Sequence, residues 1–201
     1  FSIDLSEMNP QTMTIEKISQ PPNANQKQSV KFILDNWHQK TFYNQKVMIS
    51  GPRGVGKSYT AQILKKQIDQ MDHHPFCLLF DDFDPSSIGV NIKKIALSKA
   101  SKETPVILVI NEVDISYQNA ISEDQCFDPR EQHTRNKQTF NNMLDSFGSI
   151  SNLIVIYTTE KSPQELYQNE NYRSFMRPGR IDLFIEMDKN LSKISDFDYN
   201  H

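Results

Sequence analysis

Residues Gly51-Pro52-Arg53-Gly54-Val55-Gly56-Lys57-Ser58 fit the pattern G-x-x-x-x-G-K-[ST], in which a glycine-rich loop cradles phosphate groups. Three of the chain's six glycines fall in this octet. The apolar run Val47-Met48-Ile49 enters it and a helical pattern from Tyr59 to Met71 leaves it. That strand–loop–helix setting is what gives such a match physical meaning. Gly51, Gly54 and Gly56 allow a turn tight enough to aim successive backbone N–H groups at one anion. The following helix adds the positive end of its dipole. Lys57 is expected to reach the β- and γ-phosphates and the Ser58 hydroxyl to hold Mg²⁺, with residues 51–58 and Tyr59 lining the site. The octet implies a nucleoside triphosphate ligand.

A chain of 201 residues suits one α/β domain with an ample core. The net charge of −3 gives no general basic footprint for nucleic acid. Two cysteines, Cys77 and Cys126, imply no disulfide framework and a reducing, intracellular compartment. No apolar run approaches the ~18 residues of a membrane span, and there is no secretory segment. Because the chain opens on Phe1, a processed or excised piece of a longer protein is expected, and any membrane segment would lie outside it.

Along the chain, residues 1–24 read as an extended arm ending in Gln20-Pro21-Pro22-Asn23. From Asn25 to about Lys40, Val30, Phe32, Ile33 and Trp37 recur at helical spacing. Strands are expected near 46–50, 76–80, 105–110, 152–158 and 181–187, and helices near 57–71, 89–102 and 134–147. The polar stretch Ser122 to Arg135 reads as an exposed loop. Short apolar strands such as Val106 to Ile110 suit a parallel sheet buried on both faces. Alternating β and α patterns of this kind give a doubly wound domain. Its ligand sits at the carboxyl ends of the strands. The nucleotide-binding core is placed at residues 25–187, and 188–201 are read as a tail or the start of a further element.

The strand Val106 to Ile110 runs into Asn111-Glu112-Val113-Asp114. At such a strand end an acid holds Mg²⁺ through water, and a second carboxylate polarises the attacking water. Glu112 has the type and position for the second role, and Asn111 stands at the metal position. Further on, Met176-Arg177-Pro178-Gly179-Arg180-Ile181-Asp182 follows the strand Leu153 to Thr159. Two arginines flanking Pro-Gly before a final strand are placed to reach a neighbouring subunit's nucleotide. There a guanidinium stabilises transition-state charge by as much as ~10³–10⁵ in rate.

The sequences GPRGVGKS, VILVINEVD, LIVIYTTE and RPGRID together resemble the AAA branch of the AAA+ ATPases, over roughly residues 26–187. The run Gln138 to Gly148 is similar to the Bcs-type members, mitochondrial chaperones that help assemble the respiratory cytochrome b–c complex. The resemblance implies a three-layer αβα P-loop NTPase fold with a parallel five-stranded sheet ordered 5-1-4-3-2. It implies ATP and Mg²⁺ as cofactors, an ATPase activity, and a homo-oligomeric ring of six or seven subunits or a larger assembly. It further implies work on a protein substrate and a matrix-side address at the mitochondrial inner membrane. The helical lid that the family places after the fifth strand is not visible, and it is expected to lie beyond this chain.

Two departures from the family pattern stand out. Asn111 occupies a position generally held by an acid, and Glu160 one generally held by Asn that orients the attacking water. A carboxylate and a phosphate at ~4 Å and an effective dielectric near 20 repel by about 4 kcal/mol gross. Glu160 is therefore expected either to turn towards Mg²⁺ or a cation such as Lys161, or to disable the site. Turned to the metal, it would restore the charge lost at Asn111. Two other readings stay open: a hydrolysis-impaired structural subunit that uses ATP as glue, and a DNA-loading AAA+ ATPase. The second needs a basic surface that the net charge does not suggest. Weaker signals are a pore loop at Ile88-Gly89, a lysine-bearing helix face (Lys93, Lys94, Lys99, Lys102), His73-His74-x-x-Cys77 and the glycosylation pattern at Asn190. The first three are better explained by ordinary turns and solvated surface, and the last is set aside because nothing else indicates secretion.

Overall fold

The computed structural model describes residues 21–39, 44–71, 77–81, 83, 104–122 and 136–188, and the backbone of 192–196. Its helices are α1 (Ala24–Gln39), α2 (Lys57–Ile68), α3 (Val113–Ile121), α4 (Lys137–Phe147) and α5 (Pro163–Gln168), with a 3₁₀ turn at Tyr172–Ser174. The strands are β1 (Gln45–Ser50), β2 (Leu78–Phe80), β3 (Val106–Ile110), β4 (Leu153–Thr159), β5 (Leu183–Met187) and β6 (Ser192–Asp196). The arm at 1–20, the segment containing Ile88-Gly89 and the four lysines, His73-His74 and Asn190 lie outside the described residues.

The strands form one sheet in the order β2-β3-β4-β1-β5-β6. The first five are parallel, in registers such as Met48 opposite Tyr157 and Val47 opposite Leu183. β6 is antiparallel to β5, pairing Leu183 with Asp196. The expected five-stranded sheet is therefore corrected to six strands, because β6 pairs antiparallel with the β5 edge. The segment read as a tail contains this strand.

Period-two alternation sorts the strand side chains onto two faces. Met48, Leu108, Ile110, Val155 and Tyr157 point into one core with Tyr117 of α3 and Phe140 and Leu144 of α4. Val47, Ile49, Val109, Ile154 and Ile156 point into the other with Val30, Ile33 and Trp37 of α1 and Ala61 and Leu64 of α2. Both faces of the parallel strands are thus covered, which is why these strands read as continuous apolar runs. Trp37 is fully buried, and truncating such a ring to Ala costs about 3–5 kcal/mol.

Helix starts are written in side-chain chemistry. Asn23 accepts from the Gln26 amide at 2.8 Å while Gln26 accepts from the Asn23 amide at 3.0 Å, a reciprocal cap on α1. Asn136 and Thr139 do the same for α4, as Ser162 and Glu165 do for α5, where Pro163 takes the first turn. Each cap satisfies donors that the first helical turn leaves orphaned.

Candidate functional site at the phosphate loop

The loop between β1 and α2 is held open by its backbone. Gly51 has φ 146°, and a Cβ there would lie 2.2 Å from the Met187 carbonyl oxygen at the end of β5. Gly56 has φ 89° and closes the loop onto α2. The Gly51 amide donates to the Thr159 carbonyl at 3.2 Å, fastening the loop to the end of β4. The side chain of Gln26 donates to the Gly56 carbonyl at 3.3 Å. The turn is therefore fixed by β4, β5 and α1 together.

A cleft of about 480 Å³ opens above this loop. It is lined by Arg53, Lys57, Ser58, Asn111, Glu112 and Glu160, with Gly54, Gly56, Tyr59 and Thr158 completing it. The Lys57 ammonium donates to the Gly51 and Pro52 carbonyls at 2.6 and 3.1 Å. Partial burial pushes its pKa down, against the pull of Glu160 and Glu112. The Ser58 hydroxyl donates to Asn111 Oδ1 at 2.7 Å, and the Thr158 hydroxyl donates to the same oxygen at 3.1 Å. Val55 is half-buried against the α1–α2 core and does not line the cleft.

Glu112 adopts a left-handed backbone, φ 47° and ψ 51°, uncommon for a residue with a side chain. Its amide is held by the Thr158 hydroxyl at 3.1 Å, and its carbonyl accepts from Ile115 and Ser116 in the first turn of α3. The strained turn swings its carboxylate, about half exposed, to the mouth of the cleft. Such strained backbone clusters at functional positions.

Glu160 contacts neither Lys161 nor a metal-side group. Its Oε1 accepts from Arg53 Nε at 2.5 Å, and an Arg53 terminal nitrogen lies 3.8 Å from Glu112. The hydrogen bond it donates to Glu160, then the two carboxylate charges, hold the Arg53 guanidinium above its ordinary pKa. Lys161 instead reaches Asp114 at 3.0 Å. Asp114 is buried and also accepts from the Thr159 hydroxyl at 2.9 Å. Of the outcomes expected for Glu160 the structure shows the turn to a cation, with one correction: the cation is Arg53 of the loop and not Lys161.

The two arginines before β5 are not equivalent. Arg180 is buried. Its Nε and one terminal nitrogen bond both oxygens of Asp145 at 2.6 and 2.7 Å, and the other bonds Asn141 at 2.7 Å and the Ser174 carbonyl. A guanidinium so fully engaged inside its own chain does not project towards a neighbour, which corrects the expectation for Arg180. Arg177 is exposed, at a separate cleft of about 400 Å³ shared with Lys137, Asn141, Glu170 and Arg173.

The residues fit a Mg-nucleotide by their donor chemistry: a glycine-formed anion turn, a cation over it, and a hydroxyl beside an amide oxygen. Among the described residues no group of three or more His, Cys, Asp or Glu is arranged to hold a metal. Residues 47–189 match the model of the ATPase family associated with various cellular activities (AAA). The chain belongs to the AAA family. That match takes in the phosphate loop, the β3 end and both arginines of this AAA domain. No curated protein sequence matches the chain. Among solved structures, the C. elegans PCH-2 structure is similar at 13% identity and a TM-score of 0.48, over 80% of this chain and 41% of that one. The chain thus spans less than half the length of that relative. No helix among the described residues is long and apolar enough to cross a membrane.

Proposed function

We propose that this AAA domain binds Mg·ATP in the loop cleft and hydrolyses it, working in a ring with copies of itself. The observation that carries the reading is the convergence of Lys57, Ser58, Asn111 and Glu112 on one cleft at the carboxyl ends of β1 and β3. Bound Mg·ATP supplies the scissile phosphate bond and the metal charge that such transfers use. Within the chain, Lys57 and the backbone N–H groups of residues 53–58 take the phosphates. Ser58 and Asn111 hold the metal through a hydroxyl and a neutral amide oxygen. Glu112 takes the proton of the attacking water, a role worth typically ~10²–10⁴ in rate. Arg177 serves a neighbour's nucleotide, while Arg180 holds its own chain in place.

The substrate we propose is a protein, remodelled as in a Bcs-type chaperone, with the mitochondrial inner membrane as its setting. This part rests on the run Gln138 to Gly148. The test is steady-state ATP hydrolysis at rising protein concentration for wild type and Glu112→Gln. Specific activity that climbs with concentration and disappears in the variant supports the reading. Tight ATP binding without Glu112-dependent turnover favours a nucleotide-stabilised structural subunit instead, the reading to which the neutral Asn111 and the acidic Glu160 point.

A further inference from the structure

Arg53 lies at the turn of the phosphate loop and spans two acids from different strand ends. One contact is the 2.5 Å bond to Glu160 beyond β4, and the other the 3.8 Å approach to Glu112 beyond β3. The Arg53 side chain is 80% exposed and that of Glu160 43%. Ion pairs this open to solvent contribute little to folding, so a stabilising role does not account for the bridge. Its position does suggest a role. Lys57, which hydrogen-bonds the carbonyls of Gly51 and Pro52 just before Arg53, senses Glu160, Glu112 and Arg53 together. Two cations and two carboxylates therefore share the mouth of a cleft built for phosphate. Without Arg53, both carboxylates would face an incoming anion with Lys57 as their counter-charge.

We propose that Arg53 and Glu160 form a charge pair that sets how well this site tells a nucleoside triphosphate from a diphosphate. Arg53 neutralises Glu160 and, being mostly exposed, offers the rest of its guanidinium to the outermost phosphate. Two charges at the cleft mouth act most strongly on the phosphate nearest them, because Coulomb energy falls with distance and with solvent between. The inner phosphates are served by Lys57 and the loop amides. The proposal deepens the nucleotide-binding reading of the cleft and rests on it.

The experiment is direct binding of ATP and of ADP, each with Mg²⁺, to wild type, Arg53→Ala, Glu160→Gln and the double variant. Arg53→Lys is the conservative rescue, and melting temperatures check the fold. Arg53→Ala should weaken ATP by about tenfold and ADP by less than about threefold, tenfold being the effect of about 1.4 kcal/mol. Glu160→Gln in the Arg53→Ala background should recover most of the ATP loss, and Arg53→Lys should recover part. Equal losses for ATP and ADP, or a double variant equal to the product of the singles, would overturn the pair. Lys57→Ala separates the two ideas. Wild-type binding that Lys57→Ala abolishes, with no Arg53–Glu160 coupling, removes this proposal and keeps the nucleotide site. A folded wild type that binds neither nucleotide removes both.

Discussion

The Ser58 hydroxyl donates to the Asn111 amide oxygen over 2.7 Å, so the two residues assigned to the metal already touch. A carboxylate at 111 would accept the same bond and add a negative charge beside the cation. Asn111→Asp should therefore lower the Mg²⁺ concentration needed for half-maximal ATP binding several-fold, read by nucleotide binding across a Mg²⁺ series. Unchanged Mg²⁺ dependence would remove residue 111 from the metal site.

The partner found for Glu160 changes what its reversal should do. If Glu160 made good the charge missing at Asn111, Asn111→Asp and Glu160→Asn would compensate one another. With Glu160 committed to Arg53, their effects on Mg²⁺-dependent turnover should multiply as those of independent sites. Recovery in the double variant would show that Glu160 serves the metal after all.

Arg180→Ala is expected to act on stability. The buried guanidinium and Asp145 share a two-pronged contact. Breaking a fully buried pair costs ~3–5 kcal/mol, and the half-exposed Asp145 brings the expectation to about 1–3 kcal/mol. The Arg180 hydrogen bonds hold the Asp145 carboxyl below its usual pKa. A lowered folded-state value makes this contribution present above the unfolded carboxylate pKa and lost as pH falls through the folded one. Denaturant melts should show the gap between wild type and Asp145→Asn narrowing on the acid side of about pH 4. By contrast, Arg177→Ala should leave melting unchanged and lower only the concentration-dependent part of turnover.

Lys161 carries the opposite sign. Its hydrogen bond to Asp114 raises its pKa, so its contribution is complete below the unfolded lysine value near ~10.4 and fades as pH rises through the folded one. Lys161→Met should leave the buried Asp114 with Thr159 as its remaining described side-chain partner, costing about 1–3 kcal/mol at neutral pH. The difference from wild type in urea melts should shrink at alkaline pH.

The sequence made the β1–loop–α2 unit plain because glycine, lysine and serine at fixed spacing leave few other structures open. The parallel strands were legible for the same reason that they are buried: both faces are apolar, so the runs are unbroken. α3 was not legible although Val113, Tyr117 and Ala120 follow helical spacing, because nine residues are too few to establish a period. α5 carried a readable start, Ser162-Pro163-x-Glu165, in a segment too short to show a period. β6, Ser-Lys-Ile-Ser-Asp, has little strand character of its own and exists through pairing with β5. The ion pairs were the least legible. Arg53 with Glu160 and Arg180 with Asp145 join residues 107 and 35 positions apart, and no local pattern encodes which acid a given arginine meets.

The first turn of α1 does more than start a helix. Asn25 donates to the Asp188 carbonyl at 2.6 Å just beyond β5, and Gln26 to the Gly56 carbonyl at the foot of α2. One turn of helix therefore clasps both the exit of β5 and the phosphate loop, parts of the chain that fold around it from far away. Fraying of α1 removes one of the ties that hold the loop, so hydrogen exchange at Gly56 and Lys57 should quicken when a helix that begins thirty-odd residues earlier opens.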